Sequence, residues 1–284
     1  MNSLNLGGHS GCGIFLMEDD DGAVFVRKTS KDAAYNSRLQ AQCAKQRSFA
    51  GTRMLAPAVL REGVDPEGRF YFDMEYIQGV TLAEYIKTME IGKVKGLVAT
   101  LVESLLPAEP EAARDRMAEE ARRCFGEKLD SLDAALSGWD NPRLKAALKL
   151  LREHDWGSMR PSACHGDLTL ENIIVRNDRL YLIDFLDSFY DSWLLDMGTL
   201  LQDVQAMWSY RKAQSVSMNT VLRLMVFRDL LLDAIRDVDP RYLQEIYYAL
   251  LMKLVRIYPD TKDQLTLGFL DEKLELVMDY LRKI

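Results

Sequence analysis

The stretch from 165 to 187 limits what this chain can become more than any other. Ile173-Ile174-Val175 and Leu180-Tyr181-Leu182-Ile183 are short apolar runs. Between them Arg176-Asn177-Asp178-Arg179 is a polar turn carrying the turn-forming pair Asn-Asp. Two β-prone runs joined in this way specify a hairpin. If Val175 opposes Leu180, Asn172 falls opposite Ile183 and next to Asp184. An amide oxygen and a carboxylate then meet at the open end of the hairpin. Asp167, five residues before Asn172, belongs to the loop at that same end.

The order Asp167, Asn172, Asp184 is the order that phosphoryl transfer needs. One Asp receives the acceptor hydroxyl's proton, and the amide and the second carboxylate offer hard oxygens to Mg²⁺. An ordinary surface hairpin with polar ends would explain any one of these residues. The conjunction of His165-Gly166-Asp167-Leu168, Asn172, a hairpin and Asp184-Phe185 points instead to a phosphotransferase that uses ATP and Mg²⁺.

The length of 284 residues suits a two-lobed enzyme, and 48% apolar residues supply a core. A net charge of −7 argues against nucleic acid or an anionic membrane as partner. Cys12, Cys43, Cys124 and Cys164 form no C-x-x-C pair, so zinc and dithiol redox chemistry are not expected. Cys164, although next to His165, reads as a small buried residue. No charged-then-apolar leader opens the chain, and no apolar run is long enough to span a bilayer. A cytoplasmic enzyme is the expectation; the oligomeric state is not legible.

The first part of the chain reads as a strand-rich lobe. Gly7-Gly8-His9-Ser10-Gly11-Cys12-Gly13 is a glycine-dense loop before strands at 14–17 and 23–28. Gly11 and Gly13 are its candidate phosphate contacts through backbone N–H groups. Leu16 stands where a G-x-G-x-x-G pattern would have its third glycine. Arg27 and Lys28 end the second strand and point to opposite faces. Lys28 is the favoured phosphate contact because it shares a face with Val26 and Val24, an apolar lining for adenine. A helix over 35–49 should supply a Glu to pair with this lysine. It has none, and Gln42 or Gln46 is available to hydrogen-bond the lysine instead. Strands at 57–60 and 70–77 follow, then Gly79 and a helix over 81–88. The Glu75-Tyr76-Ile77 segment has the layout of a hinge, with backbone groups of Glu75 and Ile77 available to the adenine edge.

From Ile91 to Trp156 the apolar spacing is helical, with breaks at Pro107, Pro110 and the turn from Gly138 to Pro142. A further helix is expected from Trp193 to Trp208, where Asp196 either braces the Asp167 loop or favours the helix N-terminus. The last third is amphipathic helix. The division is a nucleotide-binding lobe over 1–78 and a helical lobe over 79–284 carrying the catalytic loop and metal site. The fold class is α+β, with a small β-rich lobe and a larger helical one.

These residues resemble the aminoglycoside phosphotransferase/choline kinase family of small-molecule kinases with a protein-kinase-like fold. The resemblance rests on His165-Gly166-Asp167-x-x-x-x-Asn172 and Ile183-Asp184-Phe185-x-Asp187. The stretch from Leu186 to Asp203 is also similar to uncharacterised bacterial phosphotransferases of surface-polysaccharide loci. The resemblance implies Asp167 as catalytic base or acceptor-orienting group, Asn172 and Asp184 as Mg²⁺ ligands, and Lys28 as nucleotide phosphate contact. It gives His165 a supporting role in the loop and Asp187 a helping one. A basic and apolar ending, Tyr280-Leu281-Arg282-Lys283-Ile284, departs from the acidic recognition of aminoglycosides. A sugar-like alcohol is the first expectation for the acceptor and an amino alcohol the second, with Asp187, Asp191 and Trp208 as candidate contacts. The alternative is a pseudokinase that binds nucleotide without turnover. A protein-directed kinase is disfavoured, because no Ala-Pro-Glu anchor follows Asp184.

Overall fold

The computed structural model describes residues 2–6, 11–51, 53–106 and 114–283. The chain forms two compact units, 1–82 with 172–187, and 83–171 with 188–284. In chain order the elements are β1 (Asn2–Asn5), β2 (Gly13–Glu18), β3 (Val24–Thr29), α1 (Asn36–Ser48), β4 (Met54–Leu55), β5 (Val59–Val64), β6 (Phe70–Glu75) and β7 (Val80–Thr81). There follow α2 (Leu82–Thr88), α3 (Val94–Leu105), α4 (Arg114–Leu136), α5 (Pro142–Glu153), β8 (Ile173–Arg176) and β9 (Arg179–Leu182). The remainder is α6 (Trp193–Val204), α7 (Met218–Val238), α8 (Arg241–Ile257) and α9 (Gln264–Leu281). This is the mixed α+β class expected from the sequence.

The first unit is built on an antiparallel sheet of order β1-β2-β3-β6-β5. Helix α1 covers one face, where Leu39 and Cys43 pack against Phe70, Phe72 and Met74. Burying this apolar stripe holds the helix in place, since a 13-residue helix is marginal on its own. A second sheet has the order β4-β9-β8-β7. Its hairpin has the expected register, Val175 opposite Leu180, and the Ile183 N–H donates to the Asn172 carbonyl at 3.0 Å. Asn177 and Asp178 take φ of 50° and 57°, the left-handed pair of a type I′ turn. The hairpin groups with the first unit, although in sequence it lies far along the chain, because β8 pairs with β7 and β9 with β4. Strands β1, β4 and β7 carry no sequence signal of their own; each is short and exists through its partner strand.

The second unit is helical. All twelve residues of α6 are buried, so it forms the centre of that unit. The helix expected to reach Trp208 stops at Val204. The Asp203 carboxylate accepts the Ser209 N–H at 2.8 Å, and Met207 turns left-handed at φ 61°. The helix breaks expected at Pro107 and Pro110 lie outside the described residues. Among the described residues no helix is long and apolar enough to cross a membrane.

Candidate active site

Strand alternation puts Lys28 and Val26 on one face of β3 and Arg27 on the other. Lys28 lines an apolar cavity of the first unit with Ile14, Val26, Met74, Ile77, Ile174, Ile183 and Phe185. Val24, expected beside Val26, is 46% exposed and does not line it. The Lys28 side chain is buried, and a buried ammonium needs partners. Its Nζ donates to Gln42 Oε1 at 3.0 Å and to the Asp184 carboxylate. Gln42 Nε2 donates to the Tyr35 hydroxyl at 3.3 Å, which turns the amide oxygen toward the lysine. Gln46, the other amide available from α1, donates to the Pro57 carbonyl at 2.9 Å.

Glu75, Tyr76 and Ile77 line the same cavity. The Glu75 N–H is already given to Ala58 O at 2.9 Å, so Glu75 has its carbonyl, and not its amide, to offer a ligand. Gly79 also lines the cavity, and it must be glycine: a Cβ there would sit 2.5 Å from the Val175 carbonyl oxygen.

Gly11 and Gly13 do not join this group. They line a cleft on the opposite face of the sheet with Arg27, Thr29 and Tyr71. The rest of the expected glycine loop, residues 7–10, lies outside the described residues. Arg27 is engaged on that face. It binds Asp73 through Nε at 2.7 Å and Nη2 at 2.9 Å and stacks 4.0 Å over the Tyr71 ring. Arg61 holds the same carboxylate. Asp73 is fully buried, so this double pairing satisfies a charge that would otherwise be costly.

At the hairpin's open end, Asn172 and Asp184 belong together to the first unit. Asp184 has φ of 62°, an uncommon conformation for a residue with a side chain and one that gathers at functional positions. One amide and one carboxylate make a sparse, hard oxygen set. Mg²⁺ suits such a set because it keeps waters and phosphate oxygens as its other ligands. No larger cluster of His, Cys, Asp and Glu suited to a metal occurs among the described residues.

The loop bearing Asp167 is held within the second unit by α6. Asp196 Oδ2 accepts the His165 N–H at 2.6 Å, and Oδ1 accepts the Gly166 N–H at 2.9 Å. Asp196 therefore braces the loop, the first of the two roles open to it in the sequence. Two turns later on the same face, Asp203 Oδ2 accepts the Leu170 N–H at 2.6 Å. His165 is buried, and its Nδ1 accepts the Asp167 N–H at 3.3 Å, the supporting role expected of it. Gly166 takes φ of 94°, which a side chain would oppose. The Asp167 carboxylate receives Lys253 Nζ of α8 at 2.9 Å on Oδ1. Burial raises the Asp167 pKa, but the Lys253 charge and hydrogen bond, with His165 and Arg256, outweigh it and leave the carboxylate below its ordinary range. Asp167 is thus an anion at neutral pH and a weak base.

Asp203 behaves in the opposite way. Burial pushes it up to about 6, against the three hydrogen bonds that favour its ionised form. The native state therefore holds this proton more tightly than the unfolded chain does. The associated stability is full below about pH 4 and is lost as the pH rises to about 6, roughly 3 kcal/mol in all. Urea unfolding of the wild type and Asp203→Asn at pH 4 and pH 7 measures it. The wild type's advantage over Asn should shrink by about that amount at pH 7, and a gap that does not move with pH would refute it.

Of the remaining sequence candidates, Asp187 pairs loosely with Arg38 at 3.6 Å and is exposed. Asp191 accepts from Cys164 Sγ at 3.2 Å. Trp208 lies under the Arg211 guanidinium at 3.7 Å. Asp203 and Lys253 were not identified from sequence. Two acids seven apart in a mainly apolar helix was the available signal for Asp203. Lys253 looks in sequence like any lysine of an amphipathic helix.

The model of the phosphotransferase enzyme family matches residues 6–223. No curated protein matches the chain in sequence. Solved structures do match in fold. Aminoglycoside 2'-phosphotransferase-IIIa in its GDP complex has a TM-score of 0.61 at 16% identity, covering 100% of this chain and 93% of its own. The amicoumacin kinase hAmiN, in complex with AMP-PNP, Ca²⁺ and Ami, has a TM-score of 0.59 at 15% identity, covering 98% and 88%. A putative fructosamine-3-kinase from Haemophilus somnus 129PT has a TM-score of 0.53 at 13% identity, covering 96% and 91%. At these identities the likeness is one of fold.

Proposed function

The chain belongs to the phosphotransferase enzyme family, and from that premise we propose that it transfers the γ-phosphoryl group of ATP to a hydroxyl of a small molecule. The observation that carries this reading is Lys28, a buried ammonium at the polar end of an apolar cavity, held between Gln42 and Asp184. The apolar walls suit an adenine ring, with the Glu75 carbonyl and the Ile77 backbone at its edge. The ammonium suits the α- and β-phosphates. Asn172 and Asp184 would hold Mg²⁺, which when bound neutralises charge on the phosphate oxygens. Asp167, ionised and held by Lys253, orients the acceptor hydroxyl and takes its proton late. Such a weak base fits a loose transition state in which the nucleophile is little activated. The acceptor in this reading is a small alcohol, sugar-like first and amino-alcohol second.

A neutral amide in place of an acid also bears on nucleotide binding. Gln42 orients Lys28 without cancelling its charge. Gln42→Leu should raise the ATP KM roughly tenfold or more, since a hydrogen bond to a charged group is worth about 1.5–3 kcal/mol. Gln42→Glu should keep activity, because the carboxylate preserves the contact. Initial rates against ATP concentration distinguish these, and an unchanged KM in Gln42→Leu would remove Gln42 from the site.

The direct test is ATP consumption with Mg²⁺ over a panel of sugars, amino alcohols and aminoglycosides, with Asp167→Ala as control. Acceptor-stimulated turnover that vanishes in the variant supports the kinase. Tight Mg²⁺-ATP binding with no turnover on any acceptor favours the pseudokinase, for which the missing acid on α1 is the supporting observation.

A further inference from the structure

We propose that Lys253 is a positioning residue for the transfer, fastening the Asp167 carboxylate to α8 so that it meets the acceptor hydroxyl in one orientation. This rests on the reading that Asp167 handles that hydroxyl. Lys253 Nζ lies 2.9 Å from Asp167 Oδ1 and 3.3 Å from the Gly166 carbonyl oxygen. One ammonium thus ties a side chain and the adjoining backbone to a helix 86 residues away in sequence.

The loop does not need this tie for its shape. Its backbone is already held by Asp196 at His165 and Gly166, and by Asp203 at Leu170. What Lys253 adds is a hold on the reacting group itself. The pair is also poorly suited to a purely stabilising role. The Lys253 side chain is 13% exposed and that of Asp167 33%, and the cost of taking the ammonium out of water offsets much of what the pairing gains. A catalytic carboxylate, by contrast, gains rate from being held in a productive geometry. Arg256, one turn further along α8, adds positive charge toward the same carboxylate.

The test uses Lys253→Met, which keeps length and loses charge, and Lys253→Arg, which keeps charge. ADP release from Mg²⁺-ATP is followed first with water as the acceptor and then with the sugar and amino-alcohol panel. Lys253→Met should lose roughly 10- to 100-fold in kcat, while its ATP KM stays within about twofold. Lys253→Arg should recover a substantial part of the loss. In an Asp167→Asn background Lys253→Met should change residual turnover by less than about threefold, because the residue acts through Asp167. A merely structural lysine would cost the same factor in both backgrounds, and that result would overturn the proposal. So would a Lys253→Met enzyme retaining more than half of wild-type kcat. Wild-type protein that binds Mg²⁺-ATP and releases no ADP with any acceptor would overturn the kinase reading instead, and this role with it.

Discussion

Asp167→Asn should lower phosphoryl transfer by roughly 10²- to 10⁴-fold, the usual range for loss of a positioned acid–base group. The substitution keeps the shape of the side chain and leaves an oxygen for Lys253, so the loop should stay folded. The Asp196 and Asp203 bonds that hold the loop backbone are untouched. What disappears is the negative charge that aligns the hydroxyl and receives its proton. Nucleotide affinity should stay within about twofold, because Lys28, Gln42 and the apolar cavity walls belong to the other compact unit. Single-turnover transfer and calorimetric ATP binding on the same preparation separate the two effects. A variant retaining a tenth of wild-type transfer would show that Asp167 is not the group that handles the hydroxyl.

Asp184→Ala should abolish the Mg²⁺ dependence of ATP binding. Wild-type protein is expected to bind ATP much more tightly with Mg²⁺ than with EDTA, and the variant equally weakly in both. A second consequence follows from the ion pair. Lys28 shares its ammonium between Gln42 and Asp184, so phosphate must compete with a carboxylate for it. Removing that carboxylate frees the ammonium and deletes a negative charge near the phosphates. In EDTA, Asp184→Ala should therefore bind ATP no more weakly than the wild type. Stability should fall by less than the roughly 3–5 kcal/mol seen for a fully buried pair, because the Asp184 side chain is 35% exposed. Titration calorimetry with and without Mg²⁺ reads both effects. Retained Mg²⁺ dependence in the variant would remove Asp184 from the metal site.

The parts of the site legible in sequence were those set by local rules. The two-residue period of a strand alone separates Lys28 from Arg27. The turn chemistry of Asn177-Asp178 sets the hairpin register, and the register puts Asn172 beside Asp184. The absence of an acid on α1 was visible as well. Which amide replaces it was not, because Gln42 and Gln46 lie one turn apart on the same face of the helix. The choice is made by neighbours distant in sequence: the Pro57 carbonyl takes Gln46, and Asp184 brings the lysine to Gln42. Gly11 and Gly13 line the cleft on the Arg27 side of the sheet, while residues 7–10 of the glycine-dense loop lie outside the described residues.

By itself the sequence determined the order of the longer elements, the hairpin and its register, the Asp167-Asn172-Asp184 series and the separation of Lys28 from Arg27. Each follows from periodicity, turn preference or spacing within about 20 residues, where the chain's covalent geometry leaves few choices. Only the tertiary structure decided which residues hold the reactive groups in place. Asp196 and Asp203 reach the Asp167 loop across about 30 residues, and Lys253 reaches it from a helix still further along. Those contacts are made by packing a buried helix and its neighbours around one core. An acid or a lysine on an amphipathic helix carries no mark of the partner it will meet there.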